Sequence, residues 1–152
     1  MTFDIDVLII FSDRDNQPNG WVDSFRKYFN TVLSYLSGDE IRVVLKGEYD
    51  SITSPALDNA GVLVTILTPD LAQSPNCQSA IRRFDLATRE TASLVTRMFK
   101  VYKSPVPPWE QPHELRDLFG YDMFNFDIES GEAKDFTQYF GEEADRQYWM
   151  EI

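Results

Sequence analysis

"VLVTILTPDLAQSPNCQSAIRRF", residues Val62–Phe84, contains both patterns from which the fold can be read. Its first part extends the apolar run Gly61–Thr68, short and β-branched, which suits a strand buried on both faces of a parallel sheet. "PDLAQSPN" then bends the chain into a helix expected from about Asn76 to Thr96, with Ile81, Phe84, Leu86 and Leu94 on its apolar side. Strand, turn and helix make half of a βαβ unit.

The same alternation runs outward in both directions. Upstream, "DIDVLIIFS" (Asp4–Ser12) is a first buried strand, followed by the polar turn "DRDNQPNG". Trp21, Val22, Phe25, Phe29, Val32, Leu33 and Leu36 then recur at helical spacing until Gly38, a natural C-terminal stop. "IRVVL" (Ile41–Leu45) is the second strand, and the loop after it should hold one helical turn after Pro55. Downstream, Met98–Ser104 alternates apolar and polar residues and reads as a fourth strand nearer an edge. "PVPPWEQP" is a rigid connector, because its four prolines cannot hold a ladder. A short helix at Glu114–Phe119, a fifth strand "YDMFNFD" and a turn at "ESGEAK" follow. Phe136, Tyr139, Phe140, Ala144, Tyr148 and Trp149 suggest a final amphipathic helix that contributes to the core. It reaches Ile152 with neither cap nor polar tail, so the chain is expected to be an N-terminal piece of a longer protein. Strands alternating with helices predict one α/β domain over residues 1–152, with a mostly parallel sheet and helices on both faces.

Bulk properties exclude several functions. The chain has 152 residues, 43% hydrophobic and 14% aromatic, which describes a folded domain with a sizeable core. A net charge of -11 repels phosphate backbones and anionic lipids, so neither nucleic acid nor membrane is an expected partner. The only cysteine cannot form an internal disulfide, and no signal peptide is recognised, so a reducing cytoplasm is expected. A single imidazole, His113, removes most zinc-site and Ser–His–Asp arrangements, and no metal site is expected. The turn after the first strand lacks any Gly-rich phosphate loop, which disfavours dinucleotide binding of the Rossmann type and P-loop hydrolysis.

Several residues invite a chemical role. Asp13, Asp15 and Asp70 with Lys103, at the expected carboxyl ends of strands, could form a phosphoacceptor site of the receiver type. Simple turn capping is the favoured reading, because Thr68 and Pro69 separate Asp70 from its strand. Cys77 at a helix start could be a low-pKa nucleophile, but a buried small residue is the commoner use. Trp21 could stack on a base or belong to the core, and Trp109 is a candidate exposed contact for a partner.

Taken together, Val62–Phe84 resembles the third strand and third helix of TIR (Toll/interleukin-1 receptor) domains: an apolar strand ends in Ser/Thr-Pro, and Ser-x-x-Cys precedes a helix. "DVLIIFSDRDN…GWVDSFRKYF" looks like the TIR opening, and "YWMEI" fits the ending of bacterial members. The resemblance covers most of the chain. It implies a flavodoxin-like three-layer sandwich with a five-stranded parallel sheet in order 2-1-3-4-5. It also implies self-association or contact with other TIR domains, in proteins that in bacteria often serve defence. Catalytic members cleave NAD between nicotinamide and ribose with a glutamate three residues after the cysteine, a carboxylate that can stabilise an oxocarbenium-like ribose. Here that position is Ala80. At ~100° per residue Arg83 and Phe84 share its helix face, Asp85 is turned away, and Glu90 is nearly three turns along. On the resemblance, a ligand cleft would comprise Ser12, Asp13, Trp21, Cys77 and Ala80, and Ala80→Glu would restore a carboxylate facing it. The loop after strand two lacks the Pro-Gly pair common in the family. Its uncharged stretch Ser51, Ile52, Thr53, Ser54 and Pro55 is, with Trp109, the expected partner surface. Two readings follow: a non-catalytic TIR-like signalling or assembly domain needing no cofactor, or an NAD glycohydrolase whose glutamate was lost or replaced.

Overall fold

The computed structural model describes residues 5–17, 20–47, 57, 59–90, 97–126, 129, 131 and 133–135. Four apolar strands form the centre: β1 (Ile5–Ile10), β2 (Val43–Lys46), β3 (Ala60–Leu67) and β4 (Met98–Tyr102). A short β5 (Gly120–Asp122) completes a five-stranded, all-parallel sheet in order β2-β1-β3-β4-β5, a flavodoxin-like α/β fold. β3 lies in the middle, paired with β1 (Ile9↔Val64) and with β4 (Val64↔Phe99).

Alternate residues of the strands feed two cores. On one face Leu8, Ile10, Leu63, Leu67 and Met98 pack with Cys77, Ala80, Ile81 and Phe84 of the helix α3 (Pro75–Glu90). α3 follows α2 (Pro69–Gln73), a helical turn within what the sequence presents as a bend. On the other face Val7, Ile9, Val64, Ile66 and Val101 pack with Trp21, Val22 and Phe25 of α1 (Trp21–Ser37). Only the first half of α1 is deeply buried. Leu36, expected on its inner face, is exposed, as is Tyr35. The 17 helical residues span about 25 Å, whereas the four of β2, the strand that follows, cover about 13 Å, so α1 is much longer than its neighbouring edge strand.

Two expectations are corrected. The single fifth strand divides at Met123, whose N–H donates to the Tyr102 carbonyl (2.7 Å) while its side chain turns into the core. β5 stays in the parallel sheet, and β6 (Phe124–Phe126) pairs antiparallel with β7 (Ala133–Asp135) in a separate hairpin whose turn includes Gly131 at φ 71°. The helix expected at Glu114–Phe119 is one 3-10 turn, His113–Leu115, and the proline connector holds another, Pro108–Glu110. Residues 91–96 of the expected third helix, most of the turn after Pro55, the loop Ser51–Pro55 and the expected helix Phe136–Trp149 lie outside the described residues.

Gly120 is dictated by packing. A Cβ there would sit 2.2 Å from Cε2 of the Tyr102 ring and 3.2 Å from Cε of Lys100. Gly120→Ala should therefore weaken the β4–β5 pairing and lower the melting temperature by several degrees, about 1–3 kcal/mol of overpacking. Tyr102→Leu in the same chain should recover part of that loss in a thermal melt. A double variant no better than Gly120→Ala would show that Tyr102 is not the obstacle.

Candidate functional site

Open α/β sheets bind ligands beyond the carboxyl ends of their strands. Here that edge is built from the segments after β1 and β3. After β1 the chain turns through Ser12 into a 3-10 turn, Asp13–Asn16. Asn16 caps α1: its Oδ1 accepts the N–H of Asp23 (3.0 Å) and its Nδ2 donates to the Asp23 carboxylate (2.9 Å). Gly20, at φ 69°, supplies the left-handed residue that starts the helix. After β3, Thr68 caps α2 by accepting the N–H of Leu71 (3.2 Å), with Pro69 at the first helical position. The Thr68 hydroxyl donates to the carboxylate of Asp15 (2.5 Å), so the two loops are tied by a buried bond. Asp70 pairs loosely with Arg14 (3.9 Å) at the surface, where such a pair contributes little. Asp15 and Asp70 thus serve turns and caps, and Lys103 lies with its ammonium 5.6 Å from the centre of the Trp21 ring.

The Ser-x-x-Cys spacing also has a structural explanation. Ser74 precedes Pro75, the first residue of α3, and its Oγ accepts the N–H of Cys77 (3.3 Å). Cys77 is buried, with its thiol 3.7 Å from the carbonyl of Phe11 at the end of β1. Spacing that reads as a recognition motif is, in this chain, a helix cap followed by a core contact.

The five expected cleft residues offer little surface. Ser12, Trp21 and Cys77 are each 1% exposed and Ala80 4%, while Asp13 is half-buried. Trp21 stacks on Phe25 (5.6 Å between ring centres, 5° between planes) and belongs to the core on the α1 face, whereas Cys77 and Ala80 belong to the α3 face. The indole is packed as core and does not present a ring to a base. Ala80 is buried in the apolar cluster on the α3 face, where a longer side chain would meet packed neighbours. A depression of about 430 Å³ lined by Asn30, Glu40, Ile41, Arg42 and Val43 lies at the amino end of β2, away from the carboxyl edge.

Of the expected partner surface, Trp109 is 77% exposed, and Ser51–Pro55 lies outside the described residues. Among the described residues no group of three or more His, Cys, Asp or Glu could hold a metal ion, and no helix is long and apolar enough to cross a membrane.

Sequence reading missed a buried polar cluster beneath the connector that carries Trp109. Lys100, 2% exposed in the middle of β4, donates through Nζ to Oε1 of Gln111 (2.9 Å) and to the carbonyl of Leu115 (2.8 Å). Gln111 is buried too, and its Nε2 donates to the Tyr102 hydroxyl (2.9 Å) and the Val106 carbonyl (2.8 Å). The available signal was a lysine between apolar neighbours in a strand that the sheet covers on both sides. No protein-family model matches the chain, and no curated protein matches it.

Proposed function

We propose that this chain is a non-catalytic TIR-like signalling or assembly domain, working through contacts with its own kind or with other TIR domains rather than through turnover of NAD. The observation that carries the reading is Ala80. At the position where the resemblance implies a glutamate, the chain has a buried methyl group, packed among Cys77, Ile81 and Phe84 in the core. The parallel order 2-1-3-4-5 agrees with the resemblance, and the exposed Trp109 provides a contact side chain.

The test measures both activities on the full chain. Incubation with NAD should release no nicotinamide even at high protein concentration. Sedimentation equilibrium should show a monomer at micromolar concentration and weak self-association above it, reduced by Ile52→Arg. Nicotinamide released by the unaltered chain would overturn the non-catalytic reading, and Asp85 and Glu90 would be the next carboxylates to remove. A tight dimer indifferent to Ile52→Arg would place the interface elsewhere.

A further inference from the structure

Trp109 is not a stray surface aromatic on a pliable loop. It sits in the 3-10 turn Pro108–Glu110, closed by the N–H groups of Glu110 and Gln111 on the carbonyls of Pro107 (3.0 Å) and Pro108 (3.2 Å). Directly after it, Gln111 anchors the turn to β4 through Lys100 and Tyr102, and to the connector's own Val106 carbonyl. Four residues on, the Leu115 carbonyl takes a second hydrogen bond from the same ammonium, which also lies 5.3 Å from the centre of the Tyr102 ring. Among the described residues no carboxylate pairs with Lys100. Its charge is met by the side-chain amide oxygen of Gln111 and the backbone carbonyl of Leu115, so the end of the connector and the turn after it are held from beneath.

What this stretch presents is aromatic and acidic. Trp109 on the connector, Phe119 (88% exposed) just before β5 and Tyr121 on β5, the edge strand, are all exposed. Glu110, Asp117 and Asp122 are exposed on the same stretch, against one exposed cation, Arg116. Glu114 is already paired with Arg82 (3.6 Å).

We propose that the connector and the β5 edge dock a basic segment of a partner protein, with an arginine or lysine over Trp109 and its charge met by the neighbouring carboxylates. The proposal rests on reading the chain as an interaction module and specifies the chemistry of one partner. An indole face is the strongest aromatic acceptor for a cation, exposed Trp is the residue type most enriched at binding hot spots, and a pre-set backbone lowers the entropy lost on binding. A second copy fits poorly, because two copies meeting here would oppose like charges on chains of net charge -11.

The probe is a short labelled peptide of alternating arginine and leucine, with a glutamate–leucine peptide as its counterpart, followed by fluorescence anisotropy on the full chain. The arginine peptide should bind and the glutamate peptide should not. Trp109→Ala should weaken binding about tenfold, as should Glu110→Lys combined with Asp117→Lys. Asp39→Lys with Glu40→Lys, the same change in net charge at the amino end of β2, should leave affinity within about twofold. Lys100→Met should also weaken binding although Trp109 is retained, and Gln111→Leu provides the same comparison if Lys100→Met fails to fold. Equal losses at both charge pairs, or no loss with Trp109→Ala, would reduce the binding to non-specific attraction and overturn the proposal. Loss of self-association in Trp109→Ala would overturn it in favour of a second copy. If peptide binding fails while self-association sensitive to Ile52→Arg persists, this inference falls and the assembly reading stands.

Discussion

Val64→Asp unfolds the domain. Val64 lies at the centre of β3, with strands on both sides, is 3% exposed, and packs in the core that contains Trp21, Phe25, Ile66 and Val101. An aspartate there loses the contacts of the valine and buries a carboxylate among apolar groups. Burying even a neutral polar group unpaired costs about 2–7 kcal/mol, and an ionised carboxylate costs more. The whole stability of a domain of this size is about 5–15 kcal/mol, so one substitution consumes most of it. Circular dichroism should show the variant unfolded or melting without cooperativity, with the parent folded under the same conditions. A cooperative melt near the parent's temperature would mean that the core is not centred on β3.

That prediction can be made from the sequence alone, and the reason is physical. A strand buried on both faces is apolar at nearly every position, and Val62–Leu67, apolar at all but Thr65, fits the middle of a parallel sheet. Alternation with helices then predicts a parallel sheet with helices on both faces, whereas the order of its strands is what the resemblance implies, and the structure has that order. Where burial depends on hydrogen bonding as well as on hydrophobicity, the reading fails in an instructive way. In β4 the alternation of Met98, Phe99, Lys100 and Val101 suggests that the lysine faces water. The structure buries Lys100 and leaves Phe99 38% exposed. A binary pattern registers hydrophobicity but not hydrogen bonding, and Lys100 is accommodated because Gln111 and Leu115 approach from 11 and 15 residues away. The division of the fifth strand at Met123 was equally hidden, since β6 is set by pairing with β7 and not by its own composition.

The candidate site was legible in its residues but not in its geometry. Ser12, Cys77 and Ala80 are grouped in one cleft by what the resemblance implies, yet their burial is not legible in the chain. Trp21 at helical spacing is compatible with either a rim or a core, and only stacking on Phe25 decides for the core. The pair Asp15 and Thr68, separated by 53 residues, illustrates the limit: each alone looks like a turn former, and only the folded chain brings them together.

The substitution that bears most directly on function is Ala80→Glu, and the structure changes what it should do. Ala80 lies on the inner face of α3, one turn beyond Cys77, whose thiol already meets the end of β1. One helical turn is about 5 Å, which moves Ala80 away from the edge and beneath the sheet. A glutamate there adds volume to a packed core, at about 1–3 kcal/mol, and an ionised carboxylate without an evident partner, at several more. The nearby helix N-terminus favours that charge by only about 0.3–1 kcal/mol. Desolvation wins, so Ala80→Glu should melt far below the parent and release no nicotinamide from NAD. Ala80→Gln, nearly the same size but neutral, should be clearly less damaging, and the difference between the two in urea unfolding measures the cost of the charge. If Ala80→Glu instead folds as well as its parent and cleaves NAD, α3 must present position 80 to a pocket. The chain would then be a disarmed enzyme, and the assembly reading would lose the observation that carries it.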